Sequence, residues 1–208
     1  MVTAGPTREF FDPVRFLSNP SSGKMGYALA EEAVRRGHRV VLISGPVALP
    51  PPSSAIRLVR VVSAQEMCRS TLKEAARADL VMMAAAVSDF RPAAYRLKKL
   101  KKTGKDLTVR LMPNPDILKT LGQKKRVGQI LVGFAAETDH VRQNALKKLQ
   151  KKNLDFIVAN RVGVTTGGFA TDQNRAILLA AAGLEKQLPS MSKKGMSKAL
   201  FEFIMKKR

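Results

Sequence analysis

The chain has 208 residues, of which 45% are hydrophobic and 25% are charged, proportions typical of a globular protein with a buried core. Its 37 Lys and Arg residues outnumber its 16 Asp and Glu residues, which gives a formal net charge of +21. No apolar run reaches the roughly 20 residues of a transmembrane helix, the N-terminus lacks a secretory pattern, and one cysteine excludes an internal disulfide. A single cytoplasmic domain over residues 1–208 is therefore expected.

Short apolar runs alternate with helical patterns in the first half of the chain. The runs MVTA, RVVLIS, IRLVRVVS and LVMMAAAVS predict strands. Helical spacing of the apolar residues predicts helices over 24–36 and 64–78. Because strands that alternate with helices form βαβ units, this half predicts an α/β fold with a mostly parallel, Rossmann-like sheet flanked by helices.

The second half opens with a lysine-rich segment, YRLKKLKKTGKD, which predicts a flexible flap at about 91–106. The run LTVRLM predicts a strand after it, and NPDILKTLG predicts a helix with an Asx-type start at Asn114. The runs ILVGFAA, LDFIVAN and RAILLAA predict three further strands. Two more helices are predicted over 140–152 and about 192–205.

The stretch SNPSSGKMG, residues 18–26, lies at the start of the first predicted helix. Unpaired amide N–H groups and a partial charge of about +0.5 at a helix N-terminus favour an anion. Gly23 and Gly26 would let a phosphate approach the backbone, and the hydroxyls of Ser21 and Ser22 could donate to it. A serine N-cap, with glycines that permit close helix packing, explains this stretch equally well.

Two common phosphate-binding motifs do not fit this stretch. A P-loop requires G-x-x-x-x-G-K-[ST], but Met25 follows the Gly-Lys pair and Ser18 stands at the first glycine position. A dinucleotide-binding turn requires its glycines directly after the first strand, whereas a long insertion separates Gly5 from Gly23. The sequence thus argues against Walker chemistry and supports an NAD(P)-dependent oxidoreductase only weakly.

Several separated stretches together resemble one family. They are TAGPTREFFDPVRFLSNPSSGKMG, LISGP, AAAVSDFRP, KKLKK, NPDIL, GFAAET and KNLDFIVAN, and they follow one another across nearly the whole chain. The family is phosphopantothenoylcysteine synthetase, the second activity of the bifunctional decarboxylase/synthetase of bacterial coenzyme A biosynthesis. The resemblance implies a ligase that forms a C–N bond: 4'-phosphopantothenate is activated by CTP, or by ATP, to an acyl nucleotide, and cysteine then displaces the nucleotide.

The resemblance also implies partners and a cofactor. Mg²⁺ would accompany the nucleotide, although its ligands cannot be assigned. A homodimer with a shared active site is expected. The flavin-dependent decarboxylase domain that precedes the synthetase in many relatives is expected to be absent from this chain.

Matches to the family's motifs assign roles to single residues. Asn19 would contact the acyl group and could donate to the developing oxyanion, and Lys99 of the flap would close over the anhydride; both are predicted to be catalytic. Arg15 would reach the phosphopantothenate of the neighbouring protomer. The residues predicted to bind substrate are Arg15, Asn19, Ala85, Ala86 and Asp89. Those predicted to bind the nucleotide are Ser21, Gly23, Gly26, Ala85, Asp89, Lys99, Pro115, Asp116, Ile117, Leu118, Phe134, Lys148 and Lys152.

Each of these residues also has a purely structural explanation. Asn19 could be a turn residue, Phe134 a core residue, and the lysines a solvated surface. The charge of +21 keeps open a basic Rossmann-like nucleic-acid-binding module. No known nucleic-acid-binding motif accompanies that charge, so neither a nucleic acid nor a membrane is the expected partner.

Overall fold

The computed structural model describes residues 1–50, 53–104, 106–163 and 173–206. Within these ranges a central sheet is flanked by helices, and two short strand pairs lie outside it. In chain order the elements are β1 (Val2–Ala4), β2 (Arg8–Phe10), β3 (Phe16–Ser18), α1 (Lys24–Arg35), β4 (Val40–Ser44), β5 (Ile56–Arg60), α2 (Ala64–Ala75), β6 (Leu80–Met83), β7 (Phe90–Pro92), β8 (Leu111–Pro113), α3 (Ile117–Gln123), β9 (Ile130–Glu137), α4 (Val141–Lys151), β10 (Phe156–Arg161), β11 (Gln173–Ala180), β12 (Glu185–Ser192) and α5 (Lys193–Lys206).

The central sheet has eight strands in the order β12-β11-β10-β9-β6-β1-β4-β5. The strands from β10 to β5 pair in parallel, whereas β11 and β12 add to the edge in antiparallel fashion. Helices lie in the connections between the other successive parallel strands, as the alternation of apolar runs and helical patterns predicts, whereas no helix is described between β4 and β5. All carboxyl ends of the parallel strands therefore meet at one edge of the sheet.

Two layers of helices cover the sheet because successive strand residues point to opposite faces. On one face, α1 and α5 pack against residues such as Leu42 and Met82, and on the other face α2, α3 and α4 pack against Ile43 and Val81. Among the described residues, no helix is long and apolar enough to cross a membrane.

Several elements differ from the sequence prediction. The strand predicted over LVMMAAAVS ends at Met83, and the strand predicted over LTVRLM is reduced to Leu111–Pro113. The strands β2, β3 and β7 and the edge strand β12 were not predicted, because they are short or polar and lack an alternating apolar pattern. The flap residues between β7 and β8 form neither helix nor strand where they are described; residue 105 lies outside the described ranges.

Candidate functional site

A cavity of about 320 Å³ opens at the carboxyl ends of the parallel strands, where ligands are expected in open α/β sheets. It brings together nine of the predicted site residues and ten further ones. The described residues that line it are Asn19, Ser21, Ser22, Gly23, Lys24, Met25, Gly26, Ala84, Ala85, Ala86, Val87, Asp89, Phe134, Ala135, Ala136, Lys148, Asn160, Asn174 and Lys193.

The N-terminus of α1 forms one wall of this cavity. Gly23 is the N-cap residue with a φ of 77°, a left-handed conformation that favours glycine, and it has no side chain that could cap the helix. Ser21 Oγ accepts from the Gly23 N–H group at 3.3 Å, so this serine does not act as the N-cap. The first-turn N–H groups of α1 lie at this wall and are of the kind that binds an anion.

Gly26 has a packing role as well as a place in the cavity wall. A Cβ atom at this position would lie 2.5 Å from Ala4 Cβ and 2.7 Å from the Thr3 carbonyl oxygen. Only glycine therefore allows α1 to lie this close to β1. Close packing of α1 on β1 therefore explains this glycine. The same close packing sets the position of the α1 N-terminus at the cavity.

Asn19 links the α1 wall to the end of β6. Its Nδ2 atom donates to the carbonyl oxygens of Ala86 at 3.1 Å and Val87 at 3.2 Å. Because a carbonyl oxygen can only accept, these two bonds determine which way the amide points. The amide N–H groups are engaged by these two carbonyl oxygens, so donation to an oxyanion would require one bond to be replaced, while Oδ1 can act only as an acceptor.

The segment after β6 forms the floor of the cavity. Ala85 N donates to Thr3 Oγ1 at 3.1 Å, and Ala86 N donates to the Gly5 carbonyl oxygen at 2.9 Å. These bonds attach the predicted alanines to β1 and to the residue that follows it. Asp89 lies at the end of the segment with an exposed side chain, and it is the acidic residue among those that line the cavity.

The opposite wall carries Phe134 of β9 and Lys148 of α4. Phe134 is half-buried and packs against the core, as its structural explanation requires, while it also lines the cavity. Lys148 Nζ lies 2.6 Å from Glu137 Oε1, and Asn144 Nδ2 donates to the other carboxylate oxygen at 3.2 Å. A ligand that recruits Lys148 would therefore compete with Glu137.

The segment 115–118 and Lys152 lie outside the described lining of the cavity. The helix α3 is capped by Asp116, not by Asn114 as predicted, and Asp116 Oδ1 accepts from Lys119 N at 2.9 Å. Lys152 Nζ lies 2.9 Å from Asp116 Oδ2. Burial opposes ionisation of this carboxyl group, but the bonds from Lys119 and Lys152 outweigh it and hold the pKa of Asp116 below its usual value. Roles for Pro115, Ile117 and Leu118 in nucleotide binding stay predictions.

Asn114 connects this segment to the cavity floor. Its Nδ2 atom donates to the Ser88 carbonyl oxygen at 2.9 Å, and its backbone N–H group donates to the Asp89 carbonyl oxygen at 2.7 Å. The segment 115–118 thus begins next to the floor although it does not line the cavity.

Arg15 and Lys99 also lie outside the described lining of the cavity, but they lie close to each other in the folded chain. Arg15 Nη1 donates to the carbonyl oxygen of Leu100, the residue after Lys99, at 3.1 Å. The Lys99 side chain is exposed. The catalytic role of Lys99 and the substrate contact of Arg15 stay predictions.

Among the ten further lining residues, Lys24, Asn174 and Lys193 carry polar side chains that were not identified from the sequence. Lys24 follows Gly23 in the motif and could have been included. Lys193 is buried and is the first residue of α5, and Asn174 lies on β11. Because β11 returns in antiparallel fashion, it brings these residues to the cavity from a distant part of the chain, and no local pattern marks them.

Among the described residues, no group of three His, Cys, Asp or Glu side chains could hold a metal ion. A cluster of protein ligands for Mg²⁺ is thus not found in these ranges. Mg²⁺ commonly keeps several waters and binds through one or two carboxylates together with substrate phosphates. Asp89 fits that donor pattern.

The chain matches known proteins over almost its whole length. The family described as DNA/pantothenate metabolism flavoprotein C-terminal domain matches residues 1–207. The coenzyme A biosynthesis bifunctional protein CoaBC of Bacillus subtilis is 49% identical over 197 residues, and that of Escherichia coli is 42% identical over 208 residues. These matches cover 95% and 99% of this chain but 48% and 51% of the relatives. The chain thus spans about half the length of the curated relatives it matches.

Solved structures share the fold. The C-terminal domain of CoaBC has a TM-score of 0.81 and 42% identity, over 97% of this chain and 91% of that one. A Cab2 mutant in complex with phosphopantothenate-cysteine has a TM-score of 0.77 and 20% identity, over 98% of this chain and 85% of that one. The second likeness shows the fold alone. The first confirms the α/β, mostly parallel fold that the sequence predicts.

Proposed function

The chain belongs to the family of DNA/pantothenate metabolism flavoprotein C-terminal domains, and from this membership we propose that it is a phosphopantothenate–cysteine ligase. The reaction activates the carboxylate of 4'-phosphopantothenate with CTP and then forms the amide with cysteine, releasing CMP and pyrophosphate. The 42% identity to the C-terminal domain of CoaBC supports this proposal, because the chain covers 91% of that domain.

The observation that carries the proposal is the position of Asn19. It lies between the α1 N-terminus, which could bind phosphates, and the carbonyl groups that follow β6. A carboxylate is a poor acylating agent because its leaving group would be oxide, and exchange of that group for a nucleoside monophosphate makes amide formation feasible. An acyl nucleotide in this cavity would place its phosphate at the helix and its acyl carbon near Asn19.

The cavity supplies the electrostatic environment for a nucleotide tail. The first-turn N–H groups of α1 and the cations Lys24, Lys148 and Lys193 surround the same space. Preorganised donors of this kind stabilise the charge that develops on phosphorus and carbon. Mg²⁺ would neutralise part of the triphosphate charge. Asp89 is the lining residue suited to bind this ion, either directly or through one of its water ligands.

Asn19 would act in the second half-reaction. In the observed orientation its Oδ1 atom can accept a hydrogen bond from the cysteine amine and so direct the nitrogen lone pair at the acyl carbon. The two bonds from Nδ2 to Ala86 and Val87 hold the side chain rigidly for this task.

A homodimer is part of the proposal. Arg15 does not line the cavity of its own chain within the described residues, which suits a contact with the partner's substrate. Nine of the twelve exposed large hydrophobic side chains in the described ranges lie on β2–β3, β7–β8 and the segments they enclose, as expected for an interface. These residues are Val14, Phe16, Leu17, Phe90, Tyr95, Leu97, Leu107, Leu111 and Met112.

A direct assay tests the proposal. The chain is mixed with 4'-phosphopantothenate, cysteine, Mg²⁺ and either CTP or ATP at equal concentration, and pyrophosphate and nucleoside monophosphate are measured. We expect turnover with CTP exceeding that with ATP; absence of turnover with both would contradict the proposal.

A second experiment tests the shared site of the dimer. Inactive Arg15→Ala chains and inactive Asn19→Asp chains are mixed and allowed to re-associate, and part of the activity should return because one site of the mixed dimer is intact. No recovery would count against a shared site.

A further inference from the structure

The flap is attached to the loop between β2 and β3 by a buried carboxylate that the reaction scheme does not use. Asp12 is fully buried. Its Oδ1 atom accepts from the backbone N–H groups of Val14 and Arg15, both at 2.8 Å. Its Oδ2 atom accepts from Arg15 Nη1 at 2.8 Å and from the backbone N–H group of Leu100 at 3.2 Å.

The two oxygens of Asp12 thus have separate tasks. Oδ1 shapes the loop that carries Asp12 itself, whereas Oδ2 binds groups that belong to the flap and to the Arg15 side chain. Arg15 completes the arrangement because the same Nη1 atom also donates to the Leu100 carbonyl oxygen at 3.1 Å. A backbone bond, from Arg96 N to the Phe11 carbonyl oxygen at 2.9 Å, joins the same two segments.

The charge of Asp12 strengthens these contacts. Burial by itself would raise the pKa of Asp12, but the three backbone N–H groups and the Arg15 guanidinium outweigh it and lower the pKa below its usual value. Hydrogen bonds to an ionised acceptor are about twice as strong as those between neutral groups. The carboxylate is therefore suited to hold a segment that otherwise has an exposed, lysine-rich surface.

We propose that Asp12 is a positioning residue: it fixes the backbone next to Lys99 and the guanidinium of Arg15 as one unit. Through this unit the flap lysine and the substrate-binding arginine would reach the reacting acyl group together. The attachment of the flap follows from the contacts alone, whereas its consequence for the reaction rests on the proposed function.

Asp12→Asn separates the two tasks of the carboxylate. Asn Oδ1 can still accept from Val14 and Arg15, but the Nδ2 group would face two donors, Leu100 N and Arg15 Nη1. Glu9→Gln is the matched control, because Glu9 is a buried carboxylate on the same strand pair and accepts from Ala64 N, outside the flap, at 2.9 Å.

Flap attachment is measured without any ligand. We expect amide hydrogen exchange over residues 96–104, and trypsin cleavage after Lys101 and Lys102, to become about tenfold faster in Asp12→Asn, the change expected for loss of a charge-assisted hydrogen bond. Glu9→Gln should leave both rates unchanged. Should Asp12→Asn fail to fold, Leu100→Pro removes the flap N–H donor and leaves Asp12 unchanged, and it should release the flap to trypsin in the same way. Unchanged flap rates in whichever variant folds overturn the proposal.

The link to Lys99 is tested by a double-mutant cycle. The rates are measured at saturating 4'-phosphopantothenate, so that weaker substrate binding through Arg15 does not contribute. If Asp12 acts through Lys99, the double variant Asp12→Asn/Lys99→Gln then releases pyrophosphate no more slowly than Lys99→Gln alone. A purely structural role would instead multiply the two losses, and that outcome overturns the positioning role. If the wild-type chain shows no ligase turnover, the proposed function fails while the exchange and cleavage rates still decide the attachment of the flap.

Discussion

Substitution of Gly26 by alanine tests whether close approach of α1 to β1 forms the cavity wall. An alanine Cβ would lie 2.5 Å from Ala4 Cβ, 2.7 Å from the Thr3 carbonyl oxygen and 2.9 Å from Ala4 Cα. Carbon atoms in contact prefer about 3.5–4.0 Å, so the N-terminus of α1 would have to retreat by about 1 Å. Two of the three neighbours are backbone atoms, which cannot turn aside.

The expected loss of stability follows from two opposing terms. Overpacking of this severity costs about 3 kcal/mol, and the better helix propensity of alanine returns about 1 kcal/mol. The net loss of about 2 kcal/mol lowers the Tm of a chain of this size by about 4–8 °C.

Gly195→Ala is the matched control. Gly195 is also the third residue of its helix, α5, but its Cβ would lie 3.4 Å from Ser192 Oγ, close to an ordinary contact. We expect this variant to gain up to about 1 kcal/mol. Urea unfolding and thermal melts measure both variants, and a Gly26→Ala chain as stable as wild type would refute the packing argument.

Three further predictions concern single side chains. Asn19→Asp puts a carboxylate oxygen against two carbonyl oxygens, so amide formation should slow by at least about 100-fold while mass spectrometry detects accumulated acyl nucleotide; normal turnover would contradict the role. Lys99→Gln should slow pyrophosphate release and change stability by less than about 0.5 kcal/mol, since the side chain is exposed. Asp116 has a lowered pKa, so its pair with Lys152 stabilises the fold above the unfolded pKa of about 3.9 and loses this effect as the pH falls through the folded value. Asp116→Asn should therefore flatten acid unfolding curves in this range, by at most about 1 kcal/mol because the pair is partly exposed.

The excess of positive charge has no explanation in the cavity. The net charge is +21, and the lining includes Lys24, Lys148 and Lys193 among many lysines elsewhere. Salt-dependent binding of RNA or DNA that survives Asn19→Asp would reveal a separate activity.

The order of strands and helices could be predicted from the sequence because it depends on neighbours in the chain. The spacing of apolar residues predicts α1 and α2 to within a few residues, and the alternation of elements predicts a parallel sheet. The helix start at Lys24, with glycine before it, follows from the same local pattern. The edge strand β12 was not predicted because Leu188 is its one buried residue, so the strand has no alternating apolar pattern.

The positions of the polar groups that line the cavity depend on the tertiary structure. The orientation of Asn19 depends on carbonyl groups 67 and 68 residues away, and Lys193 reaches the cavity only because β11 and β12 return along the edge of the sheet. Asp12 meets Leu100 across 88 residues. Helical and strand periodicity are local, whereas hydrogen bonds between distant segments require the folded chain to bring donor and acceptor together; the sequence by itself therefore determined the scaffold, and the packed structure determined which atoms face the ligand.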